Sequence, residues 1–216
     1  MKLGIFDSGI GGQAVAASLK KTFPDASIIV VNDQKNVPYG SKTPDEIVSL
    51  TNAAIQPLLS HGCDVIVLAC NTATAAAIEI LRERYPYQKF IGLEPMVKTA
   101  ASHTKSGVVA ICATPATLAS QRYHALIEKY GTHLQILEPD CSQWAYWIEN
   151  NQLNRLHIQQ TIEDLCHRGA DVIVLGCTHY HWIKDLIIDL AADRALVIEP
   201  SEAIGRRIVA LMTKIS

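Results

Sequence analysis

The run Gly62-Cys63-Asp64-Val65-Ile66-Val67-Leu68-Ala69-Cys70 returns 107 residues later as Gly169-Ala170-Asp171-Val172-Ile173-Val174-Leu175-Gly176-Cys177, in a chain of 216 residues. Seven of the nine positions are identical, and both copies end in cysteine. A short β-branched apolar run reads as a strand buried on both faces of a parallel sheet. Each cysteine then stands at the carboxyl end of its strand, the edge at which open α/β sheets bind ligands. Two related halves can set two thiols across one cleft. That geometry suits a reaction in which a proton leaves one face of a carbon and arrives on the other.

Working outward, strand patterns fall at Leu3–Asp7, Ser27–Asn32, Asp64–Ala69, Lys89–Leu93, Gly107–Cys112, Leu134–Glu138, Asp171–Gly176 and Leu196–Glu199, with helical patterns between most of them. The alternation predicts an α/β fold of two pseudo-symmetric, doubly wound parallel-sheet lobes with the active site between them. The first lobe is expected to take residues 1–95 plus about 200–216, and the second 96–199, with the last helix, about Ser201–Lys214, folding back onto the first. Thr43-Pro44-Asp45-Glu46 has the form of a capping box with proline at the first helical position. Asn71 or Thr72, and then Thr178, are the expected caps after the two repeat cysteines.

A net charge of -2 without a basic run argues against a nucleic-acid partner. No apolar run is long enough to span a bilayer, so no membrane partner is expected. The opening Met1-Lys2-Leu3-Gly4-Ile5-Phe6-Asp7 reads as a first strand, not a signal peptide. The six cysteines, Cys63, Cys70, Cys112, Cys141, Cys166 and Cys177, form no Cys-x-x-Cys pair and fit a reduced, cytoplasmic protein.

Four segments could carry chemistry. Phe6-Asp7-Ser8-Gly9-Ile10-Gly11-Gly12 is a strand followed by a glycine-rich turn. It reads equally as an anion-approaching loop or as a tight turn capped by Asp7 and Ser8. In Cys70-Asn71-Thr72-Ala73-Thr74 a thiol at a helix start would gain thiolate character, with Asn71 and Thr72 as donors for a carboxylate; a buried core cysteine is the plainer alternative. In Gly176-Cys177-Thr178-His179-Tyr180-His181, a continuing strand would put Cys177, His179 and His181 on one face, which raises a metal-dependent hydrolase. His179 beside a thiol suits acid–base work, whereas His181 reads as an exposed helix-start residue. Val37-Pro38-Tyr39-Gly40-Ser41-Lys42 is a polar loop at the same sheet edge.

Asp7-Ser8-Gly9, Pro38-Tyr39-Gly40, Cys70-Asn71-Thr72-Ala73 and Gly176-Cys177-Thr178-His179-Tyr180 occur in the order and context of the glutamate racemase family, within the aspartate/glutamate racemase superfamily, which the chain resembles from about residue 3 to 181. The resemblance implies a cofactor-independent isomerase with glutamate as its small-molecule substrate, making D-glutamate for peptidoglycan. It implies Cys70 and Cys177 as the two bases, the first acting on the D-enantiomer and the second on the L-enantiomer. Asp7 and His179 resemble the groups that assist each thiol, and Glu149 matches an acidic residue of the family by position after Cys141. Ser8, Pro38, Tyr39, Gly40, Asn71, Thr72, Thr117 and Thr178 resemble substrate contacts. A homodimer is also compatible with the resemblance.

No lysine stands in a pyridoxal phosphate motif, so the protein itself is expected to stabilise the carbanion, with no cofactor and no metal. Ser142-Gln143-Trp144-Ala145-Tyr146-Trp147 replaces a proline-rich apolar stretch of the family. Read as a loop over 142–148 lining the side-chain pocket, it opens the alternative of an aspartate or broad acidic amino-acid racemase.

Overall fold

Side-chain alternation along the strands accounts for the architecture. Leu3 and Ile5 of β1 (Lys2–Asp7) and Val65 and Val67 of β3 (Val65–Leu68) point to one face of a sheet; Phe6, Ile66 and Leu68 point to the other. Both faces are therefore apolar and both are covered by helices. In this computed structural model, which describes residues 1–213, strands occur at every position where the sequence places them. β1, β2 (Ser27–Asn32), β3 and β4 (Lys89–Gly92) form one parallel sheet in the order β2-β1-β3-β4. β5 (Val108–Cys112), β6 (Gln135–Leu137), β7 (Val172–Leu175) and β8 (Leu196–Ile198) form a second in the matching order β6-β5-β7-β8.

The chain divides into two compact units, Met1–Glu94 joined by the segment from Pro200, and Pro95–Glu199. In the first, α1 (Gly11–Thr22) covers the face of Leu3 and Ile5. α2 (Pro44–Ala54), α3 (Gln56–Ser60) and α4 (Asn71–Arg84) cover the face of Phe6 and Leu68. The capping box of α2 forms, with Thr43 N–H donating to Glu46 Oε2 at 2.8 Å and Glu46 N–H to Thr43 Oγ1 at 3.4 Å. In the second unit, α5 (Val97–His103) precedes β5; α6 (Pro115–Leu118) and α7 (Gln121–Tyr130) connect β5 to β6; α8 (Trp144–Glu149) and α9 (Arg155–His167) connect β6 to β7; and α10 (Lys184–Ala191) connects β7 to β8. α11 (Ser201–Thr213) buries Ile204 and Ile208 in the same cluster as Leu3, Val15 and Leu19 of the first unit. Lys214, expected at the end of this helix, and Ile215 and Ser216, expected in the first lobe, lie outside the described residues.

Three local expectations are corrected. Residues 142–148 are not a loop, because Trp144–Glu149 is helical. The strand does not continue past Cys177; Thr178–Ile183 is a 3-10 turn before α10, so Thr178 is not a helix cap. His181 is not exposed: its side chain retains 6% of its accessible surface and faces Glu199 at 3.7 Å. Among the described residues no helix is long and apolar enough to cross a membrane.

Candidate active site

In both sheets the third strand in chain order runs beside the first, and the connections leave those two strands in opposite directions. This is the switch point at which such sheets open a crevice at their carboxyl edge. β1 ends in Asp7 and β3 runs into Cys70; β5 ends in Cys112 and β7 runs into Cys177.

In the first unit Cys70, not Asn71 or Thr72, caps α4: its Sγ accepts the Ala73 N–H at 3.4 Å. Ser8 Oγ donates to the same sulfur at 3.3 Å. Two donors and the positive end of a 14-residue helix all favour the thiolate. Asp7 is wholly buried, and its Oδ1 accepts the Gly9 N–H at 2.8 Å. A Cβ on Gly12 would stand 2.8 Å from the Asp7 Cβ, so the start of α1 closes on this carboxylate only because Gly12 has no side chain. Neither Asp7 nor Ser8 caps α1, whose cap position is Ile10.

Asn71 and Thr72 are buried immediately after the thiol. Neither the Oδ1 nor the Nδ2 of Asn71 has a hydrogen-bond partner among the described residues. A buried amide lacking partners is costly, and a bound polar ligand would satisfy it. Pro38 is exposed and Gly40 half-buried, on either side of the buried Tyr39. The Tyr39 ring packs on Phe6 at 6.3 Å. Its hydroxyl donates to Asp33 Oδ2 at 2.8 Å, and burial followed by this bond pushes the phenol well above its ordinary pKa. Asp33 was missed in the sequence, although the three-residue spacing of Asp33, Asn36 and Tyr39 marks it: its carboxylate also accepts both contacts from Asn36 Nδ2, at 2.9 Å each.

The second unit handles its thiol differently. Cys177 Sγ lies 3.7 Å from His179 Nδ1, and His179 Nε2 lies 2.6 Å from Glu149 Oε1. Both side chains of that pair are almost entirely buried, at 5% and 8% exposure. A carboxylate at Nε2 holds the proton there and leaves the Nδ1 lone pair toward the thiol. Glu149 is the last residue of α8, so the helix unforeseen in the sequence is the element that delivers it. Gly176 lets the ends of β5 and β7 meet, since a Cβ there would fall 3.0 Å from Ala113 Cβ and 3.1 Å from the Cys112 carbonyl oxygen. Beside this junction Thr117 is buried, its Oγ1 3.0 Å from that of Thr114, the cap of α6; Thr178 is likewise buried.

The ligand set imagined for a metal hydrolase does not assemble. His179 is engaged by Cys177 and Glu149, while His181 turns to Glu199. No group of three His, Cys, Asp or Glu side chains among the described residues is arranged to hold a metal ion. Trp144 and Trp147 are also occupied: the first meets Tyr180 edge-on at 5.2 Å, and the second meets His157 at 5.2 Å.

Residues 13–204 match the Asp/Glu/Hydantoin racemase family. The chain is 37% identical over 214 residues to a glutamate racemase of Roseiflexus sp. (strain RS-1), covering 97% of this chain and 79% of that protein. Its fold is similar to that of a crystallised glutamate racemase isoform from Bacillus anthracis, with a TM-score of 0.86, 26% identity and coverage of 99% and 82% of the two chains. It is also similar to the glutamate racemase of Francisella tularensis solved in complex with D-glutamate, with a TM-score of 0.82, 27% identity and coverage of 99% and 81%.

Proposed function

Since the chain belongs to the Asp/Glu/Hydantoin racemase family, we propose that it interconverts L- and D-glutamate by two-base proton transfer between Cys70 and Cys177. The observation that carries this reading is the pair of buried thiols at matched sheet edges, each with its own proton-handling partners.

In the direction from L to D, the Cys177 thiolate takes the α-proton: an S–H bond forms, the C–H bond breaks, and the electron pair stays on the α-carbon. The Cys70 thiol then gives its proton to the opposite face and becomes a thiolate. The reverse direction starts from the Cys70 thiolate, the form favoured by Ser8 and the Ala73 N–H. His179 relays the Cys177 proton through Nδ1, and Glu149 compensates the imidazolium that results. Asn71, Thr72, Thr117 and Thr178, with the turn Pro38-Tyr39-Gly40, hold the substrate carboxylates, and desolvation strengthens these contacts. The proposal includes a cytoplasmic enzyme that supplies D-glutamate for peptidoglycan. An α-proton exchange assay in deuterated water with each enantiomer tests it. Deuterium should enter the α-position during turnover of both; exchange of neither overturns the reading.

A further inference from the structure

We propose that the hydrogen bond between Trp144 and His157 is a positioning device that holds Glu149 on His179 and so governs proton transfer at Cys177. The inference rests on the racemase reading and names a part of its machinery.

α8 is only six residues long and cannot hold its own shape without tertiary support. Its first residue, Trp144, is completely buried, and a buried indole N–H needs an acceptor. Trp144 Nε1 finds it at His157 Nδ1, 3.4 Å away. His157 is itself fixed in the first turn of α9, where its N–H donates to the Asn154 cap at 3.1 Å. The Trp147 ring, one turn along α8, rests edge-on against the same imidazole.

The other face of Trp144 is tied to the histidine side of the site. Its ring meets Tyr180, the residue after His179. The Cys141 carbonyl accepts both the Trp144 N–H at 3.1 Å and the Tyr180 hydroxyl at 2.9 Å. One tryptophan therefore sets the position of the helix that carries Glu149 and of the turn that carries His179. The 2.6 Å contact between them leaves little tolerance, and a displacement of about 1 Å can cost about a hundredfold in rate.

The two enantiomers have equal free energies in water, so kcat/KM stays equal in both directions and cannot tell which thiol was disturbed. Primary isotope effects can. Slowing transfer at Cys177 makes that step more rate-limiting for the enantiomer whose proton Cys177 removes, and less so for the other. His157→Phe keeps a ring against Trp147 but orphans the indole N–H; His157→Asn restores an acceptor near the Nδ1 position; Trp144→Phe/His157→Phe removes both partners.

The experiment measures kcat, KM and the isotope effects with α-deuterated L- and D-glutamate in wild type and these variants. For His157→Phe, kcat should fall about tenfold or more with KM little changed. Its isotope effect should rise for L-glutamate and fall for D-glutamate. Both should move back toward wild type in His157→Asn, whereas the double variant, which lacks the bond altogether, should shift them as His157→Phe does. If His157→Phe does not fold, Trp144→Phe carries the same test and should shift both effects in the same directions. Isotope effects equal to those of wild type in the folded variant, at any rate of turnover, overturn this inference alone. A wild type that exchanges no α-proton overturns the racemase reading, and this inference with it.

Discussion

His179 Nε2 stands 2.6 Å from Glu149 Oε1, and the opposite nitrogen of the same ring stands 3.7 Å from Cys177 Sγ. The carboxylate therefore decides which imidazole nitrogen faces the thiol. Glu149→Gln keeps the size but can present an amide N–H to Nε2, which favours the tautomer with the proton on Nδ1 and, on the proposed mechanism, removes the acceptor for the Cys177 proton. Turnover should fall about 10- to 100-fold, the usual cost of losing the partner that orients a functional histidine. Glu149→Asp should keep more activity than Glu149→Gln. Steady-state kinetics check this, and a Gln variant at full rate removes Glu149 from the mechanism.

Cys70→Ala and Cys177→Ala should each lose at least about 10²–10⁴ in kcat, the contribution of a removed acid or base. On the proposed mechanism each cysteine serves one face of the carbon, so the remaining thiol should not complete the reaction. Circular dichroism should match wild type, because the deleted sulfur is small. Turnover above a few per cent in either variant would count against two bases.

The strands and the two cysteines were legible because a parallel sheet buried on both faces writes its strands as unbroken apolar runs, and Val65–Leu68 and Val172–Leu175 have that form. The turns just past the two cysteines were harder to read. Cys70 caps its helix through sulfur, a role that oxygen-bearing residues usually take, so Asn71 and Thr72 looked the better choice. Past Cys177 the period of two fails, because in a 3-10 turn positions three apart eclipse. That carries His181 away from Cys177 and His179 toward Glu199. The helix Trp144–Glu149 is too short for its periodicity to register, which hid the link between Glu149 and His179.

Asn71 gives a test that separates binding from folding. Its buried amide has no hydrogen-bond partner among the described residues, so it destabilises the unliganded protein. Asn71→Leu should leave the melting temperature unchanged or raise it, while KM rises about tenfold through loss of one buried polar contact. Thermal melts and kinetics on the same preparation decide. A clear drop in melting temperature would mark Asn71 as a structural residue.

His181 should make stability depend on pH. Burial holds its pKa below the usual 6.5, with Glu199 at 3.7 Å opposing the shift and Lys184 and His179 adding to it. The unfolded chain therefore binds this proton more readily than the folded one. Stability is fully present above about 6.5 and is lost as pH falls toward the lower folded value. Between about pH 7 and pH 5 the wild-type melting temperature should fall more steeply than that of His181→Gln, and Glu199→Gln should steepen it further. Parallel curves for wild type and His181→Gln would show that His181 titrates equally in both states.

Glutamate should be preferred over aspartate. The reason for doubting it lay in the sequence, where Trp144 and Trp147 replace smaller residues in a stretch that could have crowded a side-chain pocket. In the fold that bulk is engaged elsewhere: Trp144 is completely buried against Tyr180 and hydrogen-bonded to His157, and Trp147 meets the His157 ring. A pocket sized for glutamate loses contact and leaves room around aspartate, which is shorter by one methylene. That difference is worth about 1–3 kcal/mol, or roughly 10- to 200-fold in kcat/KM. Measured with the two L-amino acids, the ratio should favour glutamate by at least about tenfold. Trp147→Ala should leave the ratio within about threefold of wild type, a shift smaller than that produced by one methylene, even if the rate falls through the disturbed His157. A wild-type preference for aspartate, or a ratio that moves by more than tenfold in Trp147→Ala, would return the 142–148 segment to the substrate pocket.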